Sequence, residues 1–447
     1  MKRKNGIIRK IANPPSISTP SFPKGIILLG LLLLFPLSGF NSNAGQILPK
    51  PGGEEPLPYA EITFTVLLPP ETPGGDEIRL IILDEVTGFP FNYVSHKMHH
   101  IGGSRYWVTV PIRVGSLVKY TYHRVGDTTA YEYTPSGNPV RYRVYIADGP
   151  GLVEDNVSRW SDTAYTQGTG RISGYILNKD SGAALRNLIV TAGGEETLTD
   201  ISGHFIFPHI APGKHNLAAY AMDGAFRPVQ QNAIVNIESE TPVQLFTPAS
   251  KLVPVTFTVT APANTIDAFP PKIAGNLHQL GNSFGDLGGG ITGLVNQMPV
   301  LQPTGERTYT VNMLLPAGTD IRYKYTLGDG FWNAEHGSDK NFYTRQLIIP
   351  ESVETFKVED SIFSWSSSSR PPIWFNVTTP PDLPPAEQLY LQFNVGNWMS
   401  PLPVWTIGSN RWVYPLISPI DFNAVLSYRY CRNGICGGET SLATEDT

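Results

Sequence analysis

From Glu61 onward the chain alternates in polarity. Ile62, Phe64 and Val66 are apolar and Thr63 and Thr65 polar, the two-residue period of a strand with one buried face. The alternation restarts at Val255, Phe257 and Val259, and opens again with Ile373, Trp374, Phe375 and Val377. Further short apolar runs at 78–83, 106–112, 117–123 and 140–146, bounded by Gly, Pro, Asn and Asp, predict more strands. Long amphipathic helical patterns are absent after the N-terminus. The expected fold class is all-β: tandem antiparallel β-sandwiches behind an N-terminal apolar segment.

The restarts mark an internal repeat. Arg105-Tyr106-Trp107-Val108-Thr109 is matched to Arg307-Thr308-Tyr309-Thr310-Val311, and Val118-Lys119-Tyr120-Thr121 to Tyr323-Lys324-Tyr325-Thr326. Val153-Glu154-Asp155-Asn156-Val157-Ser158-Arg159-Trp160 closes the first copy, and Val358-Glu359-Asp360-Ser361-Ile362-Phe363-Ser364-Trp365 closes the second. A third copy has Arg411-Trp412-Val413-Tyr414 and Leu426-Ser427-Tyr428-Arg429-Tyr430, and reaches Thr447 before any closing strand. It is expected to leave a sheet edge open, and the chain reads as the front of a longer protein or a truncated reading frame. A different unit separates the first two copies. In it Asp200 and Gly203 set a turn and Phe205 and Phe207 face one side. The divisions are 1–44 for export, 45–58 as linker, 59–162 as module 1, 168–250 as the intervening unit, 253–366 as module 2, 367–372 as linker and 373–447 as an incomplete module 3.

Composition agrees with this layout: 447 residues carry 43 Gly, 40 Pro, 20 Tyr and 20 Phe. The formal net charge of -5 argues against a dedicated nucleic-acid binder. Lys2, Arg3, Lys4, Arg9 and Lys10 precede an apolar run at 26–40, and Ser42-Asn43-Ala44 follows it. This predicts export with cleavage after Ala44; an uncleaved anchor, the one membrane contact foreseen, is the alternative. Either way the bulk of the chain is expected outside the cell or at its surface. Cys431 and Cys436 flank Asn433-Gly434, a hairpin-turn dipeptide, and a bridge across that hairpin is expected.

Gly170-Arg171-Ile172-Ser173-Gly174, Thr199-Asp200-Ile201-Ser202-Gly203-His204-Phe205 and Pro212-Gly213 resemble the carboxypeptidase regulatory-like domain. The resemblance implies a prealbumin-like β-sandwich used as a spacer or accessory. The repeated module resembles the starch-binding family of carbohydrate-binding modules, which implies an immunoglobulin-like sandwich. In module 2 the likeness runs through Val255-Thr256-Phe257-Thr258-Val259, 274–282, Tyr323-Lys324-Tyr325 and Trp332-Asn333-Ala334-Glu335. It makes Trp332 a sugar-stacking platform and Asn341 a companion contact. The other platform position holds Ser283. Module 3 supplies that Trp in Val395-Gly396-Asn397-Trp398, and module 1 has Tyr131-Glu132 in place of Trp-Glu.

The expected carbohydrate contacts are therefore Trp332, Asn333, Glu335, Asn341, Trp398 and Tyr131. The structural alternative for Phe331 and Trp332 is a cap on the sandwich edge. Trp107, Trp160, Trp365 and Trp412 read as core. Asp329, Glu335 and Asp339 carry the oxygens calcium favours, yet their spacing is not that of an EF-hand, and solvated loop acids are the preferred reading. His96, His99 and His100 read as a surface loop. Glu132 and Glu335 lack the opposed second acid that glycoside hydrolysis needs. No Gly-x-Ser-x-Gly, His-Glu-x-x-His or phosphate loop occurs. The reading is an exported, non-catalytic protein that takes a polysaccharide or cell-surface glycan and needs no cofactor. Two alternatives stand beside it. One is the accessory front of a glycoside hydrolase whose catalytic domain follows. The other is a structural stalk or protein-contact scaffold with lost sugar sites.

Overall fold

The computed structural model describes residues 58–83, 86, 94–266, 268–282, 294–381, 383–384, 386–394, 398–418, 420 and 426–436. The charged start, the apolar run, Ala44, Ser283 and the Val395-Gly396-Asn397 segment lie outside them.

Module 1 contains β1 (Tyr59–Leu67), β2 (Glu77–Ile82), β3 (Val94–Lys97), β4 (His99–Gly102), β5 (Arg105–Arg113), β6 (Ser116–Val125), β7 (Thr129–Tyr133), β8 (Arg143–Ala147), β9 (Gly151–Asn156) and β10 (Arg159–Trp160). One sheet runs β4-β5-β1-β9; the other runs β10-β7-β6-β2-β3, with β8 also paired to β6. Ile62, Phe64 and Val66 fill the space between them. The intervening unit contains β11 (Gly170–Asn178), β12 (Leu188–Ala192), β13 (Glu195–Leu198), β14 (His204–Ile210), β15 (Gly213–Ala221), β16 (Val229–Val235) and β17 (Glu240–Thr247). Its sheets run β14-β11-β17 and β13-β12-β15-β16. Its Asp200 turn is closed by the carboxylate, which accepts from the Ser202 and His204 backbone N–H groups at 2.8 and 2.9 Å.

Module 2 contains β18 (Leu252–Thr260), β19 (Lys272–Gly275), β20 (Gln302–Gly305), β21 (Thr308–Pro316), β22 (Ile321–Thr326), β23 (Arg345–Leu347) and β24 (Phe356–Ser361). Its sheets are β20-β21-β18-β24 and β19-β22-β23. Module 3 contains β25 (Ile373–Thr378), β26 (Leu389–Asn394), β27 (Leu402–Pro403), β28 (Trp405–Gly408), β29 (Arg411–Leu416) and β30 (Ser427–Arg432), in sheets β25-β29-β28 and β27-β26-β30. A disulfide joins Cys431 and Cys436 across a turn in which Asn433 and Gly434 both take positive φ, 52° and 73°.

The chain is thus all-β, built of tandem β-sandwiches. Strand register corrects the match between copies. Phe64 faces Val108 and Phe257 faces Val311, so Arg105 corresponds to Thr308 and not to Arg307, which sits in the turn with φ of 55°. Tyr120 and Tyr122, rather than Val118 and Tyr120, correspond to Tyr323 and Tyr325: each pair donates its hydroxyls to the closing-strand acid, Asp155 or Asp360. His96 lies on β3 and His99 and His100 on β4, so these are strand residues and not a loop.

Candidate functional site

β22 leads into the loop that carries most of the expected sugar contacts. Asp329 folds the loop back on itself, its Oδ1 accepting the Phe331 and Trp332 backbone N–H groups at 2.8 and 2.6 Å. The result turns Trp332 inward. It is 1% exposed, its ring lies 4.5 Å from Phe393 of module 3, and its indole N–H donates to Met399 Sδ at 2.9 Å. A stacking platform must show a bare ring face, so the platform role assigned to Trp332 does not fit. The loop is neither a sugar shelf nor an edge cap but half of a joint.

Asn333 completes that joint. It holds φ at 56°, a left-handed conformation that Asn tolerates better than most residues. Its side-chain oxygen accepts the Ile417 and Ser418 N–H groups at 2.8 and 3.1 Å, and its amide donates to Tyr414 Oη at 3.1 Å and Pro415 O at 2.8 Å. Four bonds saturate an amide side chain, so no hydrogen-bonding capacity remains for a glycan. Glu335 is fully buried as well. It pairs with Arg345 at 2.8 Å and accepts the Tyr325 N–H at 2.8 Å. Burial raises its pKa against the pull of Arg345. Glu132 holds the same place in module 1, bonded to Arg143 and to the Tyr122 N–H. Asp329 is buried too, which corrects the solvated-acid expectation for it and for Glu335. Its pKa is pushed up to about 6 by burial, with the backbone donors and Lys272 opposing. Lys272 is itself lowered to about 8 by burial.

The remaining candidates lie apart. Trp398 is 37% exposed, and the Arg429 guanidinium covers its ring at 4.1 Å. Tyr131 is exposed on β7 and meets His123 edge-on at 4.9 Å. Asn341 is exposed, its amide donating to Asp339 Oδ2 at 3.1 Å. The structure does not gather these residues into one site.

It does form a cleft of about 820 Å³ between modules 1 and 2, within the usual range for small-ligand sites. Asn341 lines it, with Tyr59, His96 and Arg113 from module 1 and Arg322 and Tyr343 from module 2. Arg113 lies 6.0 Å from the Tyr59 ring centroid, and Arg345 lies 4.9 Å from that of Tyr343. A polar seam joins the two modules there. Gln346 Nε2 donates to Ser116 Oγ and Asp320 Oδ1, both at 2.7 Å, and Asp320 Oδ2 accepts the Leu117 N–H at 3.0 Å. Apart from Asn341, none of these lining residues was expected as a site residue. Tyr59 and Tyr343 are far apart in sequence and line one cleft only because the modules dock, so no local motif marks them.

No protein-family model matches the chain, and no curated protein matches its sequence. Solved structures do align. A streptococcal ancillary pilin aligns at 11% identity and TM-score 0.25, over 68% of this chain and 99% of that one. The TIE protein of Bacillus anthracis aligns at 12% identity and TM-score 0.17, over 68% and 51%. A family 15 glucoamylase of Hypocrea jecorina aligns at 21% identity and TM-score 0.19, over 28% of this chain and 20% of that one. At these scores the likenesses carry no argument about function.

Proposed function

We propose that the chain is an exported scaffold of stiffly joined β-sandwiches, a stalk or protein-contact array in which the former sugar loop serves as a module joint. The observation that supports this is the burial of Trp332 and Asn333 against module 3, with every polar atom of the Asn333 side chain bonded. One other joint is of the same kind. Between module 1 and the intervening unit, Lys119 Nζ lies over the rings of Tyr142 and Tyr220 at 4.6 and 5.0 Å. The Gln230 side chain there exchanges two hydrogen bonds, both 2.8 Å, with the Ile146 backbone as a strand neighbour would. Export rests on the charged start and apolar run of the first 44 residues, and cell fractionation tests it.

The scaffold reading is tested by pull-down of the full chain on starch, glycogen, cellulose and cell-wall glycans. It expects no saturable retention, and it expects Trp332→Ala to speed proteolysis within module 3. A second reading has one observation in its favour: the 820 Å³ cleft is lined by Asn341 and by two exposed tyrosines, Tyr59 and Tyr343. Saturable retention on any of the glycans that falls with Tyr343→Ala or Asn341→Ala would overturn the scaffold reading in favour of weak carbohydrate contact in that cleft.

A further inference from the structure

The register of β1 and β5 sets Tyr59 directly opposite Arg113 at their shared end. Both residues line the cleft between modules 1 and 2, and the Arg113 guanidinium lies 6.0 Å from the Tyr59 ring centroid. The Nε of Arg113 is shut off from solvent and has no acceptor, and no carboxylate among the described residues pairs with this side chain. That sets it apart from the arginines at the module seams. Arg141 pairs with Glu196 at 3.2 Å, Arg227 with Glu351, and Arg322 with Asp320 at 3.0 Å. A shielded guanidinium N–H without an acceptor is a costly exception in a folded protein, and a bound anion is one ordinary reason for it.

The rest of the wall agrees with an anionic ligand. Arg113, Lys119 and Arg322 line the cleft against one acid, Asp339, in a chain whose formal net charge is -5. Asp339 is engaged within its own loop, where it accepts the Asn341 backbone N–H at 3.0 Å and the Asn341 amide at 3.1 Å. Lys119 lies over Tyr142 and Tyr220, and Arg322 is held by Asp320, so Arg113 is the cation with a bond still to make. Burial lowers the His96 pKa below its ordinary 6.5, and that ring adds no charge at neutral pH. The volume, about 820 Å³, suits an organic ligand and far exceeds an inorganic ion. Tyr59 is 67% exposed, Val94 54% and Tyr343 46%, so the cleft also offers bare ring and aliphatic surface.

We propose that this cleft binds a small organic carboxylate with a ring-sized apolar body. The carboxylate accepts hydrogen bonds from the Arg113 guanidinium, a charge-assisted pairing of the stronger kind. The body lies on the apolar wall and reaches Tyr343 of module 2. The ligand thus touches both modules and braces the seam that Ser116, Asp320 and Gln346 make. An aryl acid and an acidic sugar both carry this chemistry. The site goes beyond the scaffold reading and does not rest on it. An aryl acid leaves that reading standing, whereas an acidic sugar favours carbohydrate contact in the cleft.

The test is calorimetric titration of the full chain with phenylacetate and with digalacturonate, each beside its uncharged counterpart, phenylacetamide and the digalacturonate methyl ester. Saturable binding of at least one acid is expected, with the counterpart roughly tenfold weaker, the worth of a charge-assisted hydrogen bond. The acid that binds more tightly names the source of the ligand. Arg113→Gln should bind acid and counterpart alike. Tyr343→Ala, on the other module, should weaken both by one factor and keep the preference. Bound acid should slow amide exchange at Ser95 of module 1 and at Thr344 and Gln346 of module 2. Saturable binding of neither acid, equal affinity of acid and counterpart, a preference that survives in Arg113→Gln, or protection confined to one module overturns the proposal. So does binding that appears only in a Glu54→Gln, Glu55→Gln variant, which would assign Arg113 to the chain's own carboxylates.

Discussion

Asn333 shows how one residue decides between binding and joining. Its conformation and its four side-chain bonds are spent on module 3. Asn333→Ala leaves the Ile417 and Ser418 N–H groups buried without acceptors, at about 1–3 kcal/mol each. Amide exchange at those two residues should quicken while β1 stays unchanged. Asp329 makes a prediction in pH. Its folded pKa, about 6, lies above the ordinary 3.8, so between these values the folded state holds a proton that the unfolded state has released. The stability linked to this group is present below pH 3.8 and is lost as pH rises through 6. Asp329→Asn keeps the oxygen that caps the loop and removes the ionisation. Relative to the unaltered protein, its denaturation midpoint should rise between pH 4 and 7 by an amount on the order of 2–3 kcal/mol. The sequence shows an acid in a Gly-Asp-Gly turn and nothing of its burial, because the groups that cover it come from other segments.

At the level of elements, the closing strand matters most. Arg143 lies among Glu132, Asp155 and two tyrosines, and Arg345 among the equivalent groups. Arg345→Met strands two acids at once and should cost about 3–5 kcal/mol, read as an earlier denaturant transition of module 2. Tyr325→Phe removes a hydroxyl bonded to a carboxylate and should cost about 1.5–3 kcal/mol. Tyr428→Phe, at the equivalent place where no acid among the described residues bonds the hydroxyl, should leave the midpoint within about 0.5 kcal/mol. The repeated Val-Glu-Asp made this strand legible in the sequence. The register of the tyrosines was not legible, because alternating aromatics match equally well after a shift of two, and only the hydroxyl–carboxylate bonds resolve it.

For the whole molecule, the joints carry the proposed function. Tyr142 and Tyr220 share a hydrogen bond of 3.0 Å beneath Lys119, at the seam of module 1 and the intervening unit. Tyr220→Ala opens a cavity there, and calorimetry should show the intervening unit melting apart from module 1 where the unaltered chain melts the two together. The sequence by itself determined the all-β class, the repeat and its closing motif, the Asp200 turn and the Asn433-Gly434 hairpin. These follow from periodicity and turn chemistry, which act between near neighbours in the chain. Only the tertiary structure decided which aromatic rings are bare. Trp332 and Phe393 are 61 residues apart in sequence and 4.5 Å apart in space. Whether a loop tryptophan faces water or a neighbouring module depends on how the modules dock, and that contact leaves no mark in the loop's own sequence.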